Sequence, residues 1–207
     1  MPNWCSNNIH VRGSKQRDIQ YLVQAFKEGK FCSAVIPVPE ELSNPDTGSY
    51  GGEDAEAKDK LRAALLDKYG FSGWYDFCVN RWGTKWDVGD EHSIEVDDDG
   101  LGFTATFDSA WSPPVGVYEK LIEDGLEVVA TYYESGMGFV GRWDNGDDSY
   151  YELSGYDSTN VRNLIGDDLD DEYSISESMA EYEAEQAQED EELYRFVKEG
   201  AEKQSGN

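Results

Sequence analysis

Histidine and cysteine are scarce in this chain, with two histidines (His10, His92) and three cysteines (Cys5, Cys32, Cys78) in 207 residues. A structural zinc site needs such ligands clustered at short spacing, and the sequence has neither that cluster nor a CxxC pair. An odd number of scattered cysteines reads as small buried thiols of a reducing compartment, not as a disulfide framework. Basic residues are also few. Lys and Arg number 17 against 44 Asp and Glu, a formal charge of -27. Such a field repels phosphate, which excludes duplex nucleic acid and anionic membrane as direct partners and favours basic ones. No run approaches the ~20 apolar residues of a membrane span. The opening Met1-Pro2-Asn3-Trp4 has neither a basic start nor the apolar core of a signal peptide, so a cytoplasmic protein is expected. Catalytic signatures are missing as well: there is no GxSxG, no Walker glycine loop and no HExxH. Neither histidine stands beside a nucleophile in a recognisable pattern. The expected role is binding, without an enzyme activity and without a cofactor.

Aromatic residues, by contrast, make up 13% of the chain, including six Trp and thirteen Tyr. A wholly disordered acidic protein is poor in aromatics, so much of this one folds. The charge is uneven. From Asp144 to Asn207 there are 20 acidic and 4 basic residues, net -16, against net -11 for the first 143. The density of net charge is about threefold higher in the second part. This change of character sets a boundary near residue 155, with domains at 1–155 and 156–207.

The pattern of apolar residues predicts the elements. Asn3 to Gly13 reads as a strand, and Ile19, Leu22, Val23 and Phe26 as one face of a helix capped by Ser14 and ended at Gly29. Phe31 to Val38 is an apolar run closed by prolines, and Glu40 to Gly52 an exposed loop. Asp54 to Tyr69 reads as a helix with Leu61, Leu65 and Leu66 on one face. His92–Val96 and Leu101–Phe107 form a hairpin around Asp97-Asp98-Asp99-Gly100. A helix over Val115–Asp124 precedes a strand over Leu126–Tyr133. Gly138–Trp143 and Ser149–Leu153 pair around Asp144-Asn145-Gly146-Asp147. Short strands in hairpins, interleaved with helices, predict a layered α+β protein with helices on one face of the sheet. Gly166 to Glu172 reads as a solvated acidic loop, Ser174 to Glu199 as one acidic helix, and Gly200 to Asn207 as a frayed end.

Three stretches carry candidate chemistry. Asp97–Gly100 invites a calcium loop, but with Gly100 at the sixth position the twelfth falls on Thr106, which is no bidentate acid. A hairpin turn is the expectation, and no metal is assigned. In Trp82-Gly83-Thr84-Lys85-Trp86-Asp87, the two tryptophans are either large core residues around a tight turn or a binding platform with Lys85 as its polar contact. Asp167, Asp168, Asp170, Asp171 and Glu172, with Glu181, Glu185, Glu189 and Glu192 at helical spacing, offer an acidic surface to a partner. The alternative is charge that serves solubility alone.

The opening Met1-Pro2-Asn3-Trp4-Cys5-Ser6-Asn7, the Trp82–Asp87 stretch and Ala110-Trp111-Ser112-Pro113-Pro114 also carry a resemblance, being similar in kind and order to motifs of a known family. Over residues 1 to 155 the chain resembles plasmid and phage proteins with a YubB-type ferredoxin-like domain. The resemblance implies a ferredoxin-like α+β sandwich, an antiparallel or mixed sheet with helices on one face and no iron–sulfur cluster, followed here by an acidic helical extension. It implies no catalytic residue. The expected function is inhibition of a host nucleic-acid-handling defence system such as restriction or CRISPR. A carboxylate surface would occupy a basic groove of a host protein, imitating phosphates that recur every ~1.7 Å along a duplex. A small-ligand or nucleotide-signal binding protein that uses the Trp82–Trp86 turn is the alternative, and an enzyme on nucleotides or nucleic acid the third.

Overall fold

A computed structural model of the chain describes residues 3–43, 55–90 and 92–205. They form two compact units, Met1–Tyr150 and Tyr151–Asn207.

The first unit is built on an antiparallel sheet whose centre is β1 (Trp4–Arg12). Its residues alternate as the pleat requires, with Cys5, Asn7, Ile9 and Val11 buried on one face. After β1 come α1 (Gln16–Lys27), α2 (Phe31–Val35), a 3-10 turn at Glu40–Ser43, α3 (Ala55–Tyr69) and α4 (Trp74–Arg81). Then follow β2 (Ile94–Val96), β3 (Gly102–Ala110), α5 (Val115–Glu123), β4 (Glu127–Glu134), β5 (Phe139–Asp144) and β6 (Asp147–Glu152). The strand order is β2-β3-β1-β4-β5-β6. β1 lies between β3 and β4 and is antiparallel to both, so each helical crossover steps over one strand. That split βαβ pairing, made twice, is the ferredoxin-like fold, extended by the β5–β6 hairpin.

The helices lie on one face. Register places Ile9, Val11, Phe103, Ala105, Val128 and Ala130 on that face. They pack into one core with Ile19, Leu22, Val23 and Phe26 of α1, Phe31 of α2, Phe77 of α4, and Val117, Tyr118 and Leu121 of α5. The helical face read from the sequence for α1 is therefore the buried one. Its cap is not Ser14: Lys15 occupies the N-cap with no side-chain hydrogen bond. Within α3 only Leu65 is buried, and Leu66 is 55% exposed, because its neighbours cover a narrower stripe than three leucines require. β3 runs three residues past the expected Phe107, since β1 supplies it with partners as far as Trp4. Asn145 and Gly146 turn β5 into β6 with positive φ at both residues, as a two-residue hairpin loop demands. Most of the expected Glu40–Gly52 loop, and the Asp54 start of the following helix, lie outside the described residues.

The second unit holds α6 (Val161–Ile165), α7 (Asp167–Tyr173) and α8 (Ile175–Ser205). The acidic loop expected over Gly166–Glu172 is a helix. Gly166, at φ 84, ends α6, and Asp167, Asp168 and Asp170 fall in the first turn of α7, where carboxylates favour the positive end of the helix. α8 also continues beyond the expected end at Glu199, to Ser205, because Ala201, Glu202, Lys203 and Gln204 are strong helix formers and the one glycine, Gly200, does not end the run.

Candidate functional site

The carboxylates of α7 are mostly committed inside the unit. Arg162 directs its Nε to Asp167 at 2.6 Å, Nη1 to Asp170 at 3.1 Å and Nη2 to Asp171 at 2.7 Å. Asp170 is 2% exposed and also accepts from the Ser176 N–H and Oγ–H, both at 2.7 Å. It thereby satisfies a free N–H in the first turn of α8. Asp170 is thus no partner-facing residue, a correction to its expected place on an open surface. A carboxylate this deep persists because a guanidinium and two further donors hold it.

α8 is different. Its Ile175 is fully buried and Glu183 accepts from the Ser158 N–H and Oγ–H, at 2.9 and 2.7 Å. Every residue from Glu181 to Phe196 is nevertheless exposed. At ~100° per residue, Glu181, Glu185, Glu189 and Glu192 fall within about 80° of one another around the axis, one stripe ~16 Å long. Between them and beyond stand exposed Tyr182, Leu193, Tyr194 and Phe196, the last 76% exposed. Arg195 pairs with Glu191 at 2.5 Å.

The Trp82–Trp86 turn divides into two roles. Trp82 is core: it is 4% exposed and its Nε1–H donates to the Ile36 carbonyl at 2.8 Å. It therefore leaves the expected platform. Trp86 is 39% exposed, and beside it Lys85 places its ammonium 4.6 Å from the Trp86 ring centre, 5.3 Å from that of Trp111 and 5.7 Å from that of Tyr75. All three distances are within cation–π range. Trp4 lies 5.8 Å from Trp86, centre to centre. The pairing of Trp4 with Ala110 brings the start of β1 to the end of β3, and with it Trp111. Trp4, Tyr75 and Trp111 were missed as site residues from sequence, although the ordered Trp4, Trp82–Trp86 and Trp111 motifs were the available signal.

The local chain conformation is tightly held. Gly83, at φ 93, has no room for a side chain, since a Cβ there would stand 2.8 Å from the Pro113 carbonyl oxygen. Thr84 Oγ1 donates to the Ala110 carbonyl at 3.0 Å. Asp87 accepts from the Cys32 and Ser33 N–H groups at 2.7 and 3.1 Å, capping α2. Trp111 takes φ 72, a costly value for a tryptophan, fixed by its N–H donating to the Asn3 carbonyl at 2.9 Å.

Elsewhere, two of the three acids of the Asp97–Gly100 turn are engaged: Arg12 pairs with Asp97 at 2.9 Å and with Asp99. Among the described residues no three of His, Cys, Asp or Glu are grouped as metal ligands would be. An open groove of about 460 Å³ lies along α1, α2 and α5, lined by Arg17, Tyr21, Leu22 and Asp124 among others. The thiols are buried, and burial pushes Cys5 and Cys78 up to about 12 and Cys32 well above its ordinary value. They stay protonated at neutral pH and are poor nucleophiles. No described helix is long and apolar enough to cross a membrane.

No protein-family model and no curated protein matches the chain. Among solved structures, a crystal structure of a protein api92 from Yersinia pseudotuberculosis, of family DUF1281, aligns over 75% of this chain and 100% of that one, with 13% identity and a TM-score of 0.38.

Proposed function

We propose that the protein is a phage- or plasmid-encoded inhibitor that binds a host protein of nucleic-acid defence and presents α8 to its basic groove. The observation that supports this reading is the exposed length of α8, where a run of carboxylates stands beside Tyr182 and is followed by exposed Tyr194 and Phe196. Eight acidic residues lie between Glu177 and Glu192. At ~1.5 Å rise per residue they recur about every 3 Å. That spacing is close to the ~3.4 Å of phosphates along one strand and about half the density of a duplex. Grooves that track a single strand combine basic residues with ring platforms for bases. Tyr182, Leu193, Tyr194 and Phe196 supply apolar groups beside the charge, so α8 imitates one strand better than two.

The test is capture of the partner from host cells by the full chain, followed by binding at several salt concentrations. Replacing Glu181, Glu185, Glu189 and Glu192 by Gln barely alters helix propensity. The expected result is weaker binding with a flatter salt dependence. Unchanged affinity and unchanged salt dependence would place the binding surface off α8.

A further inference from the structure

The ring cluster of the first unit supports an independent site. We propose that Lys85, Trp86 and Trp4 bind a small anion carrying a flat aromatic ring, of the nucleoside monophosphate class.

The Lys85 ammonium has three N–H donors. Among the described residues no oxygen accepts from it and no carboxylate pairs with it, in a chain holding 44 acids. The faces of Trp86, Trp111 and Tyr75 attract its charge but offer no lone pair, so the donors remain available to an oxyanion. Trp4 and Tyr75 are 49% and 40% exposed. A cluster that served packing alone would bury its rings, as the fold does with Trp82 and Trp143. Half-exposed Trp86 and Tyr75 beside a cation with no acceptor among the described residues, with half-exposed Trp4 against Trp86, form instead a stacking surface with an anchor for one negative group.

The site is also preorganised. Thr84, Asp87 and the Trp111 N–H hold the chain around it through hydrogen bonds that involve none of the ring faces. The chemistry narrows the ligand further. A cationic ligand would meet Lys85 already seated against the rings. A polyanion would meet the field of -27 with every added phosphate, whereas a single phosphate meets it once.

The experiment titrates the full chain with AMP, followed by tryptophan fluorescence and calorimetry, with adenosine and inorganic phosphate as separate probes. AMP is expected to bind saturably, and each fragment at least about tenfold more weakly. Lys85→Met keeps the apolar stem, and is expected to weaken AMP by at least about tenfold. Lys85→Arg retains most of the affinity. The four-glutamine variant of α8 binds AMP as the parent does, so failure here and failure of the inhibitor reading are separable. The proposal is overturned if AMP gives no saturable signal at millimolar concentration, or if folded Lys85→Met binds it as the parent does. Should Lys85→Met lose its cooperative thermal transition, Trp86→Phe decides: it is expected to weaken AMP severalfold, and unchanged affinity overturns the site.

Discussion

Two tryptophans four residues apart meet opposite environments, and the difference sets what their removal costs. Trp82 is 4% exposed and its indole N–H is satisfied by Ile36, so Trp82→Ala leaves both a cavity and an unpaired carbonyl. The expected loss is about 3–5 kcal/mol. Trp86→Ala, at a half-exposed ring, is expected to cost about 1 kcal/mol or less. Chemical denaturation of both variants checks this, and equal losses would show that Trp86 carries core packing. The thiols give a pH effect whose sign is fixed. Cys5 and Cys78 rise from an ordinary 9.0 to about 12 through burial, and Cys32 rises too. The unfolded chain ionises them near pH 9, so their contribution is whole below that value and is lost as pH climbs from 9 toward 12. Buried Tyr132 and half-buried Tyr133 are shifted in the same direction. The melting temperature is therefore expected to fall above pH 9, with thiol reagents reacting only after denaturation. Fast labelling of all three thiols at neutral pH in the folded state would contradict this.

Among the elements, the α7–α8 junction rests on one side chain. Asp170→Ala removes the acceptor for the Ser176 N–H and Oγ–H and one arm of the Arg162 network. The expected cost is about 2 kcal/mol, concentrated in the second unit and visible as faster amide exchange at the start of α8. Glu185→Gln, on the exposed stripe, should change stability by less than about 0.5 kcal/mol. Equal effects would mean that Asp170 is no special support. Asp170 was unreadable in the sequence because Arg162, eight residues earlier, and Ser176, six later, define its environment. Five acids in a row of six read locally as solvated charge. α1 and the β2–β3 hairpin were legible because their signals are local: apolar residues at helical spacing, and an Asp-Gly turn between alternating runs. α4 was not. Its Phe77 and Cys78 are buried, but the segment of eight residues is too short to display a helical period, and its position depends on contact with α5. That contact is close: a Cβ on Gly116 would stand 2.2 Å from the Arg81 carbonyl oxygen. The site around Lys85 was half legible for the same reason. Its turn is local, whereas Trp4 and Trp111 reach it only through the β1–β3 register.

For the whole molecule, charge decides the response to salt. A chain of net charge -27 repels itself, and the unfolded state relieves that repulsion by spreading the charges apart. Screening acts over about 30 Å at 0.01 M ionic strength and about 8 Å at 0.15 M, so moderate salt removes most of the long-range part. Local pairs such as Arg12–Asp97 and Arg162–Asp170 lose strength in salt, but they are few beside the uncompensated acids. The repulsive term is the larger one, and the melting temperature should rise between 0.01 and about 0.15 M sodium chloride. The four-glutamine variant of α8 removes four charges and should show a smaller rise. The same field predicts that the chain does not retard random duplex DNA at physiological salt, since counterion release by basic residues supplies nearly all non-specific affinity. A melting temperature that falls with salt, or micromolar retardation of duplex competed by salt, would reveal a basic surface strong enough to outweigh the acids.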